Sequence, residues 1–198
     1  MYKELLWIFT QLPDDYIVLD TETTGLPDEN GLPDIVTLGI TVVRHREIAA
    51  SIEFQIRPQK PISAEAQSIH GITDEQAAAF EPFDAQWQRI AETLKGQLIV
   101  IHNASFDWPI LLDHVARYGL KMPPIQGVFC SQKAATPWAQ VMNFPCSHRG
   151  PSMDLLTEVL GVEDLRGNGD GTHGAAIDSR QTAQVVEVIR RNSRTNKV

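Results

Sequence analysis

Two carboxylates stand at the end of an apolar segment near the start of the chain. Residues 16–20 read YIVLD and are apolar at both alternating sets of positions, which predicts a strand covered on both faces. Because residues i and i+2 of a strand point to the same side, Asp20 and Glu22 of the segment DTETTGL project together. Two adjacent carboxylates repel each other and lose hydration, which is costly unless a cation joins them. Taken alone, the pair also fits an exposed strand end that feeds a turn.

A third acid follows the apolar run at residues 97–103. Asp107 ends the segment HNASFD and lies in the first turn of a helix predicted over residues 105–118. Helical spacing places it on the same face as Ile110, Leu111 and His114. A carboxylate on the inner face of a helix again indicates a cation nearby, although an acid close to a helix N-terminus also interacts favourably with the helix dipole.

The last predicted helix supplies a fourth acid. Asp178 ends the segment HGAAID, and its inward stripe contains Thr182, Val185 and Ile189. His173 precedes it by five residues, in the glycine-rich loop GVEDLRGNGDGTHG. Four acids from three segments therefore point toward the core, and one histidine from a loop accompanies them.

The elements that must position these residues follow from the hydrophobic pattern. Strands are predicted at residues 16–20, 35–44, 48–57, 97–103 and 128–130, with a tight reversal at 45–47. Helices are predicted at residues 83–94, 105–118, 132–139, 153–160 and 175–191. The order predicts an α/β fold, a mixed five-stranded sheet flanked by helices. A short N-terminal helix and a polar C-terminal tail complete a single domain over residues 1–198, with its core at about 16–191.

The three acidic motifs together match a known family. DTETTG, HNASFD and HGAAID resemble the motifs of the DEDDh 3′→5′ exonucleases, a superfamily that includes the proofreading subunit of bacterial replicative polymerases. The segment SIHGIT at residues 68–73 resembles a further signature of the same family. The resemblance covers nearly the whole chain, and it implies the ribonuclease H-like fold.

The resemblance also implies the roles of the motif residues. Asp20, Glu22, Asp107 and Asp178 would bind two metal ions, and His173 would be the general base that takes a proton from the attacking water. Oxygen ligands alone favour the hard ions Mg²⁺ or Mn²⁺. The implied reaction is hydrolysis from a 3′ end, which releases nucleoside 5′-monophosphates.

Six further residues are expected to contact the substrate. They are Thr23, Thr24, Gly25, Leu26, His70 and Phe106. The two threonines and the glycine would present amides and hydroxyls to the terminal nucleotide, and glycine permits a close approach. In the family, the residue at the position of Leu26 packs against the terminal base. For His70 a purely structural loop position, and for Phe106 simple core packing, are alternative explanations.

Composition bounds the setting of the domain. Apolar residues make up 42% and charged residues 21% of the chain, as in ordinary globular proteins. No apolar run approaches the ~20 residues of a membrane span, and the N-terminus does not resemble a signal peptide. The spacing of Cys130 and Cys146 fits neither a zinc site nor a disulfide framework. We therefore expect a cytoplasmic protein with no membrane association.

Net charge predicts a limited grip on nucleic acid. The formal charge is -8, which argues against a broad binding surface for a polyanion. Basic residues concentrate at the end of the chain, at Arg190, Arg191, Arg194 and Lys197. We expect the enzyme to hold only the last few nucleotides of a strand.

Single-stranded DNA ends are the expected substrate, and three alternatives remain. An exoribonuclease acting on RNA ends would carry the same motifs, because the 2′-hydroxyl is read by details of the pocket. A proofreading-type subunit would be bound to a DNA polymerase, but only about seven residues follow the last predicted helix as an attachment segment. A serine hydrolase built from Ser105, His173 and Asp178 would leave the other three inward acids unexplained.

Overall fold

One sheet with helices on both faces makes up the described part of the chain. The computed structural model describes residues 3–29, 31–166 and 174–194. The strands are β1 (Tyr16–Thr23), β2 (Ile35–Arg44), β3 (Glu47–Gln55), β4 (Leu98–Ile101) and β5 (Gly127–Cys130). The helices are a 3₁₀ helix (Lys3–Gln11), α1 (Ala64–His70), α2 (Asp74–Ala77), α3 (Phe83–Leu94), α4 (Ala104–Arg117), α5 (Ser131–Val141), α6 (Met153–Leu160) and α7 (Ala175–Arg194). Within these ranges, no helix is long and apolar enough to cross a bilayer.

The sheet is mixed, as predicted. Its strand order is β3-β2-β1-β4-β5. The first three strands pair antiparallel, whereas β4 pairs parallel with both β1 and β5. The predicted reversal is confirmed, since His45 and Arg46 both adopt left-handed conformations in a two-residue turn between β2 and β3. Residues 192–194, which we expected in the tail, continue α7 because no glycine or proline stops the helix there.

The alternation of β1 separates two hydrophobic cores. Ile17 and Leu19 belong to the core formed with α3 and α4, and Tyr16 and Val18 belong to the core formed with the 3₁₀ helix, α5, α6 and α7. All four side chains have no exposed surface. The strand is therefore covered on both faces, as its sequence predicts, and its side chains reach α4 and α7 in turn.

A glycine in β2 sets the position of the first turn of α7. A Cβ atom at Gly39 would lie 2.0 Å from the carbonyl oxygen of Ala175 and 2.1 Å from its carbonyl carbon. The helix backbone therefore occupies space that any other residue at position 39 would fill. From the next strand, Oε2 of Glu53 accepts a hydrogen bond from the amide of Ala176 at 3.3 Å. The N-terminus of α7 is thus seated on β2 and β3, with a carboxylate at the positive end of its dipole.

A buried arginine fixes the other end of α7. The guanidinium of Arg190 is fully buried and donates to the carbonyl oxygens of Leu12 at 2.7 Å and Pro13 at 3.1 Å. It also donates to Oδ1 of Asp14 at 3.1 Å and to Oε1 of Glu187 at 2.7 Å. These bonds tie the helix to the segment that leads into β1. Arg190 is therefore unavailable to nucleic acid, although it is one of the basic residues near the end of the sequence.

Replacement of Arg190 tests this anchor. Arg190→Leu should lower the free energy of unfolding by about 3–5 kcal/mol, because it leaves the buried Glu187 carboxylate short of a charged partner. The matched control is Arg191→Leu at the exposed next residue. This variant should change stability by no more than about 0.5 kcal/mol. Urea denaturation measures both, and equal losses in the two variants would contradict the anchoring role.

Candidate active site

The end of β1 sends its side chains to two helices in alternation. Asp20 and Glu22 continue the face of Tyr16 and Val18, which is the face that α7 covers. Thr21 points to the opposite side, where its amide and its hydroxyl donate to Oδ1 of Asp107 at 3.0 and 2.7 Å. Because the period of a strand is two, a single segment places carboxylates beside α7 and a donor pair beside α4.

Three of the four predicted acids meet closely, and the fourth lies beside them. One carboxylate oxygen from each of Asp20, Glu22 and Asp178 lies within 4.8 Å of the others. Asp107 is buried and is held by Thr21. Its charge acts on both Asp20 and Glu22. The structure therefore brings together all four acids that the sequence placed on inward faces.

Burial disfavours the ionised forms of Asp20, Glu22 and Asp107, and neighbouring carboxylates add to this effect at the first two. Burial raises the pKa of Asp20 well above its usual value, and the charges of Asp107, Asp178 and Glu22 raise it further. Burial and the neighbouring carboxylates raise the pKa of Glu22 to about 8. Burial raises the pKa of Asp107 to about 7, although the hydrogen bonds from Thr21 oppose this shift. A group of carboxylates in this condition is stabilised by bound cations.

Arg166 is a member of the site that the sequence did not indicate. Its Nε atom lies 3.7 Å from Oδ1 of Asp178 and 3.3 Å from Oδ1 of Asp164, and its guanidinium also pairs with Asp154. Its charge opposes the rise in the pKa of Asp20. A single arginine among loop acids has no spacing rule in a sequence, so only the folded chain reveals this contact.

The donor set fits hard divalent cations. The three clustered ligands offer carboxylate oxygens and no sulfur or imidazole nitrogen, which suits Mg²⁺ or Mn²⁺ better than softer metals. Among the described residues, four carboxylates and the guanidinium of Arg166 leave an excess of negative charge when the acids are ionised. The residues that are present therefore fit the metal ions that the sequence predicts.

A cavity of about 820 Å³ opens beside the acids. Thr21 and Glu22 line this cavity, and so do all six predicted substrate contacts. Two large apolar side chains are exposed within it, since Leu26 is 78% and Ile69 is 49% accessible. Exposed apolar side chains beside a polar site provide a surface on which a nucleobase can stack or pack.

The threonines of the motif also form hydrogen bonds within their own loop. The amide of Thr24 donates to the carbonyl of Asp34 at 2.8 Å, and its hydroxyl accepts from the amide of Asp34 at 3.0 Å. The hydroxyl of Thr23 donates to the carbonyl of Gly25 at 2.8 Å. These groups hold the loop in shape, so the Thr24 amide is not directed at a ligand.

His70 and Phe106 stand at the boundary between structure and site. His70 is buried, its Nδ1 accepts from the amide of Ile72 at 3.1 Å, and burial lowers its pKa. Phe106 is half-buried and packs against the core of α3 and α4. Both residues also line the cavity, so each can support the fold and contact a substrate from the same position.

The predicted general base, His173, lies outside the residues that the structure describes. Ser105 of the alternative serine hydrolase bonds to Oδ1 of Asn103 at 2.8 Å and does not line the cavity beside the acids. The three acids that this alternative leaves unexplained, Asp20, Glu22 and Asp107, lie beside Asp178. The geometry therefore favours a metal-dependent site over a serine nucleophile.

Comparison with known proteins identifies an exonuclease domain. The family model RNase_T, described as exonuclease, matches residues 17–186. The chain is 28% identical over 177 residues to DNA polymerase III subunit epsilon of Pasteurella multocida, covering 87% of this chain and 67% of that protein. It is 28% identical over 183 residues to an exonuclease of Escherichia phage 186, covering 90% of this chain and 89% of that protein.

Solved structures agree in fold. Exonuclease X, in complex with 5′ overhanging duplex DNA, superposes with a TM-score of 0.65 at 25% identity, covering 90% of this chain and 92% of that one. The nuclease domain of 3′hExo, a DEDDh family member bound to rAMP, superposes with a TM-score of 0.71 at 17% identity over the same shares. The predicted ribonuclease H-like fold is confirmed. The chain belongs to this exonuclease family.

Proposed function

We propose that this 3′→5′ exonuclease binds two Mg²⁺ or Mn²⁺ ions through Asp20, Glu22, Asp107 and Asp178. The observation that carries the proposal is the meeting of three carboxylates within 4.8 Å, next to the buried Asp107. Ions bound there would supply Lewis acidity, which lowers the pKa of a water and neutralises charge on a leaving oxygen. His173 is the proposed general base.

The residues around the acids would do the positioning. The cavity would take the terminal nucleotide, with Leu26 and Ile69 against its base. Thr21 fixes one oxygen of Asp107 by two hydrogen bonds, so the other oxygen keeps a defined direction. Gly39 fixes the first turn of α7, and with it the height of Asp178 above β1. Such orientation of ligand residues is as important to a metal site as the ligands themselves.

Single-stranded DNA is the proposed substrate, with nucleoside 5′-monophosphates as products. Exonuclease X, at 25% identity, is in complex with 5′ overhanging duplex DNA, which supports DNA over RNA. The polymerase subunits among the curated relatives support it as well. RNA ends remain the alternative substrate within the same chemistry.

A DNA polymerase is a second proposed partner. The supporting observation is the 28% identity to the epsilon subunit of DNA polymerase III. Stable co-purification of this chain with a polymerase, at a ratio unchanged by nuclease treatment, would establish the partnership. A monodisperse chain that never co-elutes with polymerase would count against it.

We propose one exonuclease domain for the chain, and a reducing, cytoplasmic setting for it. The family match over residues 17–186 supports the single domain. Cys130 and Cys146 are both free thiols in the fold, which is compatible with a reducing compartment.

Removal of the metal should abolish activity and reveal the repulsion among the acids. Activity should vanish in excess EDTA and return with Mg²⁺ or Mn²⁺. Asp20→Asn should lower kcat on the order of 10³-fold, because it removes a metal ligand. In EDTA the same variant should melt at a higher temperature than the unaltered protein, since one repelling charge is gone. The control Glu92→Gln removes an exposed carboxylate of α3 and should change neither quantity. Full turnover in EDTA would refute the metal mechanism.

The close contact between Gly39 and the first turn of α7 should control metal affinity, although Gly39 is not a metal ligand. Gly39→Ala forces the backbone of Ala175 to move, so Asp178 shifts and the Kd for Mn²⁺ should rise on the order of tenfold or more. Electron paramagnetic resonance of free Mn²⁺ measures this change. In the control Gly174→Ala, the nearest atoms to the new Cβ lie 3.8 Å away. An unchanged Kd in Gly39→Ala would show that α7 does not need this seat.

Product analysis tests the direction and the substrate. Matched 5′-labelled DNA and RNA single strands should give ladders of labelled products that shorten by one nucleotide at a time from the 3′ end. DNA should be shortened faster than RNA, and the unlabelled product should be mononucleotide from the start. A covalently closed single-stranded circle should survive, because it has no end to enter the cavity. Rapid cutting of the circle would mean an endonuclease, and faster loss of RNA would select the ribonuclease alternative.

A further inference from the structure

A second concavity of about 500 Å³ lies across the start of α4 from the nucleotide cavity. Its walls include Ser105 of α4, Lys133 and Thr136 of α5, and His148 and Arg149 of the turn that precedes α6. We call it the basic groove. Ser105 lines the basic groove, whereas its neighbour Phe106 lines the nucleotide cavity. The two concavities therefore flank the turn of α4 that carries Asp107.

The basic groove is held in place by tight packing. Ser147 and Gly150 close a turn through a hydrogen bond of 3.0 Å, and the amide of Arg149 donates to the hydroxyl of Ser147 at 3.1 Å. A Cβ atom at Gly150 would lie 2.3 Å from Oγ1 of Thr136 and 3.0 Å from the carbonyl oxygen of Gln132. Only glycine permits this approach, and its φ of +120° requires glycine as well. The turn is therefore pressed against α5, and its tip stands beside Lys133.

The charges in the basic groove are unusual for this protein. The chain carries a net charge of -8, yet none of the described residues that line the groove is acidic. Lys133 is the third residue of α5, and the first turn of that helix contains no acid. A cation in the first turn opposes the helix dipole, so the lysine does not serve the stability of the helix. A bound anion would reverse this unfavourable interaction.

The position of the basic groove relates it to the reaction. β4 and β5 run parallel, with Ile101 opposite Cys130, and α4 and α5 begin directly after them. Both helices therefore start at the same edge of the sheet as the acids. A strand whose terminal nucleotide fills the cavity must leave the acids on the side away from that cavity. The basic groove shares no lining residue with the nucleotide cavity and includes Ser105, two residues before Asp107.

We propose that the basic groove binds the backbone phosphates of the strand being degraded, upstream of the scissile bond. Lys133 and Arg149 contact the phosphates, and the contact is independent of sequence because it involves no base edge. This inference rests on the proposed function. It extends the expected grip beyond the last nucleotides, by about two phosphates for the two cations.

The test uses the double variant Lys133→Gln/Arg149→Gln in the Mg²⁺-loaded protein. Two substrates are compared: a DNA single strand of about 15 nucleotides, which fills the groove, and the p-nitrophenyl ester of thymidine 5′-monophosphate, which reaches only the cavity. The ratio of kcat/KM for the strand to kcat/KM for the ester should fall about tenfold. The slope of log KM for the strand against log salt should become shallower by about 1.4, or 0.7 for each lost phosphate contact.

The matched control is Lys95→Gln/Lys121→Gln, which removes the same charge. Both lysines are exposed, and they precede β4 and β5, at the opposite edge of the sheet. This control should leave the ratio and the salt slope unchanged. A ratio that is unchanged in the groove variant, or that falls equally in the control, overturns the groove while the exonuclease stands.

A duplex with a recessed 3′ end shows which of the two DNA strands binds in the basic groove. If the groove variant is impaired on this duplex and unimpaired on the single strand, the groove holds the complementary strand and our assignment is wrong. If the unaltered protein hydrolyses neither the ester nor the strand, the proposed function itself fails.

Discussion

Repulsion among four carboxylates at the end of β1 is the constraint on which the rest of the structure depends. Asp20 and Glu22 come from one strand, Asp107 and Asp178 from helices on opposite faces of the sheet. Their charges oppose one another in a largely buried place, as the raised pKa values of Asp20 and Glu22 reflect. Nothing in such a group favours assembly by itself, so the surrounding packing must impose it.

Helix α7 contributes most of the packing that holds the acids together, and both of its ends are fixed. At the N-terminus, Gly39 lets the helix backbone lie directly on β2, and Glu53 caps it from β3. At the C-terminus, Arg190 binds the carbonyl groups that precede β1. A helix fixed at two points cannot withdraw Asp178 from the other acids to relieve their repulsion. The bonds of Arg190 near the C-terminus of α7 thus help to hold Asp178, near its N-terminus, beside the other acids.

Local periodicity explains what the sequence could predict. The two-residue period of β1 and the inward stripes of α4 and α7 placed all four acids correctly, because each pattern is complete within one element. Arg190 escaped prediction because its partner Leu12 is 178 residues away, and a charged residue late in a helix normally faces water. Arg166 escaped prediction because it lies in a loop, where no regular period relates it to Asp178. The hydrogen bonds between Thr24 and Asp34 could not be predicted either, because no local period relates the two positions.

The net charge of the chain is a poor guide to its binding surfaces, because acidic and basic side chains lie in different places. Three acids cluster at the proposed metal site, and the nucleotide cavity combines charged side chains with exposed apolar ones such as Leu26 and Ile69. Lys133 and Arg149 are set apart in a groove without acidic walls among the described residues. Because solvent-exposed charges are screened beyond about 8 Å at physiological salt, a phosphate in that groove responds to these two cations more than to the distant excess of acids. An acidic protein can therefore hold a polyanion locally while attracting it only weakly from afar, a combination that favours release after each cut.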